Sequence, residues 1–319
     1  MIMIDIKNSI SYIESVLENY IDLDYSLWLY RLLTPLLITF LLPAIIVLMF
    51  YMTSLILYIY KLHRHKLKEA YESSNRWAAA RNVISVIWDA HGWLWHGFEI
   101  DGIEKIPCDG PALIIYYHGA IPIDIYYFMA RVYLKQNRVV HTVADRFLFK
   151  IPGWSIISEA IKVIPGTIQQ CSNILQEGNL LAISPGGVYE AQFGSHSYKL
   201  MWNKRVGFAK VALDAKVPII PLFTENVREA FRTVGIFQRL FLKIYSVLRI
   251  PLAPIYGGFP VKLLTHVGNP IPYDGSLSPE ELQIKVAKAI DDLILEHQRL
   301  PGNILLALKD RFIRKKIKY

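Results

Sequence analysis

His118 stands six positions before Asp124 in the stretch Ile114-Ile115-Tyr116-Tyr117-His118-Gly119-Ala120-Ile121-Pro122-Ile123-Asp124. Histidine can accept a proton near neutral pH. A carboxylate on its other ring nitrogen would favour the imidazolium that forms. Such a pair can activate a hydroxyl, which is a poor nucleophile without a base. Six positions along one straight helix give about 600°, which does not align two side chains. The chain must therefore curl back between them, with Gly119 and Pro122 helping the turn. Alone, such a pair is more often structural than catalytic. A second polar stretch is Ser184-Pro185-Gly186-Gly187-Val188-Tyr189-Glu190. Its two glycines can bring backbone donors close to a carbonyl or a phosphate; a plain tight turn is the other reading. Arg205 to Lys210 and the pair Glu225-Asn226 follow, each beside an apolar run. Polar turns on successive strand ends of one sheet can form one site.

The elements that must position these residues are short and buried. Strands are expected near Phe98–Gly102 (an edge), Pro111–Tyr117, Val139–Ala144, Lys162–Ile164, Asn179–Ile183 and Val217–Leu222. Helices are expected over 125–134, within 152–159, and over 168–176 and 198–214. Residues 61–99 also read as helical. Such alternation predicts an α/β fold, a mostly parallel sheet covered by helices. Ser278-Pro279-Glu280-Glu281 supplies an N-cap serine, a proline at N1 and a glutamate at N3, so a helix should start there and run to about Arg299.

The chain has 319 residues, 53% of them hydrophobic and 19% charged. That balance argues against disorder and against a highly charged nucleic-acid module. No charged residue or histidine occurs from Leu32 to Tyr60. A bilayer core needs roughly 20 helical residues, so this run is long enough to span. A buried helical hairpin in a soluble protein and a re-entrant hairpin bent at Pro43 are the alternatives. Acidic residues dominate before the run, and Lys61, Arg64, Lys66 and Lys68 follow it, which would put residues 61–319 on the cytosolic side. The expected division is an N-terminal segment (1–31), an anchor (32–60), basic and Trp-rich helices at the interface or in the core (61–99), a catalytic domain (100–300) and a basic C-terminal segment (301–319). The net charge of +8 is concentrated beside the anchor and at the C-terminus, so nucleic acid is not an expected partner. The two cysteines and the spacing of His91 and His96 form no zinc pattern, and no metal is expected.

The motif order resembles that of the glycerolipid acyltransferase superfamily over roughly residues 85–300, closest to a branch related to diacylglycerol acyltransferases. In the superfamily, a histidine, four residues and an aspartate form the catalytic block. His118 and Asp124 match it with five residues between them. The phospholipid-making members usually carry proline-glutamate-glycine followed by a threonine and an arginine. Here Pro185-Gly186-Gly187-Val188-Tyr189-Glu190 stands instead. The block around Lys162–Gly166 is similar to the second motif, and Pro218–Pro221 to the fourth. The resemblance implies acyl transfer from acyl-CoA to a glycerolipid hydroxyl at the endoplasmic reticulum membrane, with no bound cofactor. It implies catalysis by His118 and Asp124, and substrate contacts from Gly119, Pro185, Gly186, Gly187, Glu190, Arg205, Lys210, Glu225 and Asn226. Without the phosphate-pairing arginine, the expected acceptor is diacylglycerol. A lysophospholipid or an ether-linked glycerolipid is the alternative.

Overall fold

The computed structural model describes residues 25–67, 77–235, 238–248 and 251–313. The acidic segment before residue 25 and the basic residues 314–318 lie outside these. So do Lys68 and the side chains of Lys61, Arg64 and Lys66.

In chain order the elements are α1 (Tyr25–Leu67), α2 (Ala78–His91), β1 (Glu99–Asp101), β2 (Ala112–Tyr116), α3 (Ile123–Gln136), β3 (Val140–Ala144), α4 (Trp154–Ile161), β4 (Val163–Pro165), α5 (Ile168–Gln176), β5 (Leu180–Ile183), α6 (Gly187–Phe193), α7 (Gly207–Ala215), β6 (Ile219–Thr224), α8 (Val227–Ala230), β7 (Phe231–Thr233), α9 (Gln238–Leu248), β8 (Ile255–Gly257), β9 (Leu264–Val267), α10 (Pro279–His297) and α11 (Ile304–Phe312). Seven strands form one sheet in the order β1-β9-β6-β2-β5-β3-β4. Every neighbouring pair is parallel except β6 with β9. The expected mostly parallel sheet is present, with β1 at its edge. The separate β7 and β8 pair antiparallel.

The central strand β2 is buried on both faces, which is why it reads as an unbroken apolar run. Ala112, Ile114 and Tyr116 pack on one side with Ile125, Phe128 and Val132 of α3. Leu113, Ile115 and Tyr117 pack on the other with Leu175, Val211 and Val286. Helix α10 starts on the expected capping box: the Ser278 side chain accepts from the Glu281 amide, and Glu281 accepts in return from the Ser278 amide.

The expected helix over 198–214 is shorter, beginning only at Gly207. Tyr198 and Asn203 take positive φ, and Tyr198 and Trp202 are drawn into the core, so tertiary burial overrides helical propensity there. The stretch 92–96 forms a π-helical turn that ends at a left-handed Gly97.

Pro35 and Pro43 both lie inside the single helix α1, with no hairpin between its arms. Leu27–Leu57 of this helix is long and apolar enough to cross a membrane. Most of its side chains are exposed. Ile46, Ser54 and Leu57 are buried against the rest of the chain, with Phe50 packed alongside. Positions 46, 50, 54 and 57 share one helical face. Phe50 lies 5.5 Å from the Trp88 ring and 5.6 Å from both Tyr126 and Trp154. Ser54 donates a 2.7 Å hydrogen bond to the Gly153 carbonyl.

Candidate active site

A cavity of about 770 Å³ opens at the strand ends, within the range of small-molecule sites. Val47, Phe50, Tyr51 and Ser54 of α1 form one wall, and Tyr116, His118, Ile125 and Tyr126 line the domain side. Gly187, Val188 and Arg205 also line it.

His118 stands two residues past the end of β2. Its Nδ1 lies 2.6 Å from the Gly119 carbonyl. A carbonyl only accepts, so the proton sits on Nδ1 and the Nε2 lone pair is free to act as a base. Burial pushes the imidazole down to about 4, against the pull of that carbonyl and with a further push from the Arg228 guanidinium. The ring is therefore neutral at neutral pH.

Asp124 sits in the first turn of α3, where Pro122 starts the helix after the curled loop. No hydrogen bond joins it to His118, contrary to the expected pairing, because the Gly119 carbonyl, one residue along, has taken Nδ1. The carboxyl is 2% exposed, and its Oδ1 is buried without a hydrogen-bond partner. Burial pushes its pKa up to about 6, against the Thr224 hydroxyl and the helix N-terminal amides of Asp124 and Ile125.

Glu190 is fully buried below the glycine turn. Its Oε2 accepts from the His118 amide at 3.1 Å and its Oε1 from the Met201 amide at 2.9 Å. Burial raises its carboxyl to about 7, against those amides and the guanidinium groups of Arg228 and Arg205. A Cβ on Gly186 would overlap the Glu190 side chain, so only glycine fits there. Arg205 fastens the turn from outside: its Nη1 donates to the Pro185 carbonyl at 3.0 Å and to the Gly186 carbonyl at 2.8 Å.

Of the nine expected contact residues, Gly187 and Arg205 line the cavity; Gly119, Pro185, Gly186 and Glu190, like Asp124, do not line it but adjoin residues that do, and the remaining three are placed elsewhere. Lys210 is exposed on α7, away from the cavity walls. The Asn226 side chain donates to the Lys262 carbonyl at 2.9 Å, and its amide donates to Gln298. Glu225 lies 2.8 Å from His266 Nε2, and His266 reaches Asp101 at 3.2 Å through Nδ1 and stacks 3.5 Å from His297. Glu225, His266 and His297 hold their polar atoms within 4.8 Å of one another, a cluster assembled from distant parts of the chain. None of the three lines the cavity.

One buried residue beside His118 escapes sequence reading. Arg228 is 1% exposed, and its guanidinium reaches both the His118 loop and α6. The only local signal is a charged pair, Arg228-Glu229, a few residues after the largely apolar run Val217–Phe223.

The family model described as Acyltransferase matches residues 97–225, from before β1 to just past β6. A Homo sapiens protein named "DGAT1/2-independent enzyme synthesizing storage lipids" is 51% identical over 297 residues, covering 93% of this chain and 90% of that protein. The chain belongs to the glycerolipid acyltransferase superfamily. A Mus musculus protein of the same name is 50% identical over 297 residues, covering 93% of this chain and 88% of its own length. Among solved structures, the 1-acyl-sn-glycerophosphate acyltransferase PlsC from Thermotoga maritima superposes with a TM-score of 0.50 at 17% identity. It covers 78% of this chain and 97% of its own, and shows that this acyltransferase shares its fold.

Proposed function

We propose that this glycerolipid acyltransferase moves a fatty acyl group from acyl-CoA to the free hydroxyl of diacylglycerol, forming triacylglycerol. His118 Nε2 takes the hydroxyl proton as the oxygen attacks the thioester carbonyl. The oxyanion of the tetrahedral intermediate needs donors. The Gly187 amide already donates to the Ser184 carbonyl, and the Gly119 amide, beside the base, is assigned this role. The intermediate collapses, the carbon–sulfur bond breaks, and the thiolate recovers the proton from the imidazolium. The products are an ester and free coenzyme A. Asp124, ionised above about pH 6, balances the imidazolium.

The observation that carries the acceptor assignment is the commitment of Arg205. It is the arginine nearest the glycine turn, and its Nη1 is tied to two backbone carbonyls of that turn. Of the two arginines that line the cavity, Arg146 and Arg205, the one beside the turn is thus partly held by backbone, which leaves less of it for a phosphate. The apolar wall from α1 supports an acceptor that stays in the bilayer. With α1 spanning and the basic flank on the cytosolic side, the site faces the cytoplasm, and the endoplasmic reticulum is the proposed membrane.

The test is purified protein in detergent with labelled acyl-CoA and parallel diacylglycerol, ether-glycerolipid and lysophospholipid acceptors. His118→Ala should abolish transfer while the protein remains folded and in the membrane fraction. Near-normal turnover in that variant refutes the base assignment, and preference for the lysophospholipid refutes the acceptor.

A further inference from the structure

We propose that Arg228 is a positioning residue for the acyl transfer, clamping the His118 backbone and polarising the peptide whose amide faces the oxyanion. This rests on His118 acting as the base.

Arg228 lies on α8, just beyond β6, and is 1% exposed. Its Nε donates to the Tyr117 hydroxyl at 3.0 Å and its Nη1 to the Ala191 carbonyl at 3.0 Å. Nη2 donates to the His118 carbonyl at 2.9 Å and to the Glu190 carbonyl. Among the described residues, no carboxylate is hydrogen-bonded to this guanidinium. The adjacent Glu229 is taken by Arg232 at 2.9 Å and by the Tyr198 hydroxyl at 2.5 Å. The Glu190 carboxylate instead receives two backbone amides. A buried cation held by neutral groups is a costly way to gain stability. Its reach points to another use, because one planar group joins the turn after β2, the helix after β5 and the helix after β6.

Two consequences follow for His118. Glu190 holds its N–H and Arg228 holds its C=O, so both backbone groups of the residue are fixed. The orientation of the imidazole is then set from both ends. The His118 carbonyl also shares one peptide unit with the Gly119 N–H. A guanidinium on the carbonyl end strengthens the amide end as a donor, since hydrogen bonds in series polarise one another. This benefit is largest when negative charge develops on the substrate oxygen, so it should act on kcat rather than on substrate binding.

The test compares Arg228→Lys and Arg228→Met with wild type and His118→Ala, using the acceptor that the enzyme esterifies. Removing a whole oxyanion donor costs about 10²–10³ in kcat. Arg228→Met should lose roughly 100-fold in kcat, and Arg228→Lys roughly 10-fold, with KM for both substrates changed less than about threefold. A second readout separates this role from plain loss of packing. Inactivation by diethyl pyrocarbonate follows the neutral fraction of His118, and its pH midpoint should move up in Arg228→Met, which lacks the cation, and stay put in Arg228→Lys. The other titratable groups facing the guanidinium are Tyr117, Tyr198, Glu190 and Glu229, with Arg205 and Arg232 nearby. Tyr117 is pushed up to about 12 by burial and stays protonated, and Glu190 titrates near 7, apart from His118. An unchanged kcat in both variants, or a loss confined to KM, overturns the proposal. So does an unmoved midpoint in Arg228→Met. If the Met variant fails to fold, the kcat of the Lys variant decides. Turnover retained in His118→Ala refutes the base assignment instead. Turnover lost there and retained in the Arg228 variants refutes this inference alone.

Discussion

Asp124→Asn keeps the shape of a buried side chain and removes its charge. The carboxyl is 2% exposed, and burial raises it from 3.8 to about 6. The rise of roughly 2.2 units, at 1.36 kcal/mol each, amounts to about 3 kcal/mol. The sign follows from which state releases its proton first. Below about pH 3.8 both states hold the proton. Between about 3.8 and 6 the unfolded chain ionises first, so the folded state loses stability as pH rises, and above 6 the full cost is present. Asparagine does not titrate. Its stability relative to aspartate should therefore grow by about 2 kcal/mol between about pH 4 and about pH 7.5. Any fixed offset from the new amide cancels in that difference. Thermal unfolding of both proteins in detergent at the two pH values measures it, and the gap in Tm should widen by roughly 4–8 °C. The same variant should lose about 10²–10⁴ in kcat, because a neutral amide cannot balance an imidazolium. A Tm gap that stays constant or narrows as pH rises refutes the reasoning. The buried, raised carboxylate would then be no stability sacrifice.

Three more outcomes are expected. Activity of the wild type should fall as pH drops through about 7, where Glu190 takes up a proton and weakens its hold on the His118 amide; Glu190→Gln should flatten that limb of the pH–rate profile. Gly186→Ala places a methyl on the Glu190 side chain, so it should cost about 1–3 kcal/mol in denaturant unfolding and lower kcat at least about tenfold. Arg205→Met frees the glycine turn, so kcat should drop about tenfold while KM for diacylglycerol holds; a selective rise in acceptor KM would return Arg205 to the substrate.

The sheet was legible because its central strands are buried on both faces, and uninterrupted runs such as Ala112–Tyr116 follow from that burial. Gly119 and Pro122 announced the curl between His118 and Asp124. The expected bond between those two side chains did not form, because a backbone carbonyl can accept as well as a carboxylate and carbonyls are invisible to residue type. Arg228 was hidden for a related reason. Its partners are mostly main-chain oxygens of residues up to 110 positions away. The stretch 198–206 misled because its apolar spacing fits a helix, while Tyr198 and Trp202 are needed in the core. Glu225, His266 and His297 come together only through the antiparallel return of β9 against β6 and the arrival of α10.

The length of the apolar helix bears on where the reaction occurs. Its 31-residue apolar stretch is about 46 Å long, and a hydrocarbon core is about 30 Å thick. The surplus of about 16 Å equals some eleven residues, the stretch Val47–Leu57 that carries the cavity wall. Yet Leu48, Leu55 and Ile56 remain exposed on the outer face of those same turns. With α1 in a bilayer, as proposed, both facts hold together when the catalytic domain is seated in the near leaflet and not above it. His118 then meets its acceptor beneath the phosphate layer, at the depth where a neutral glycerolipid already resides.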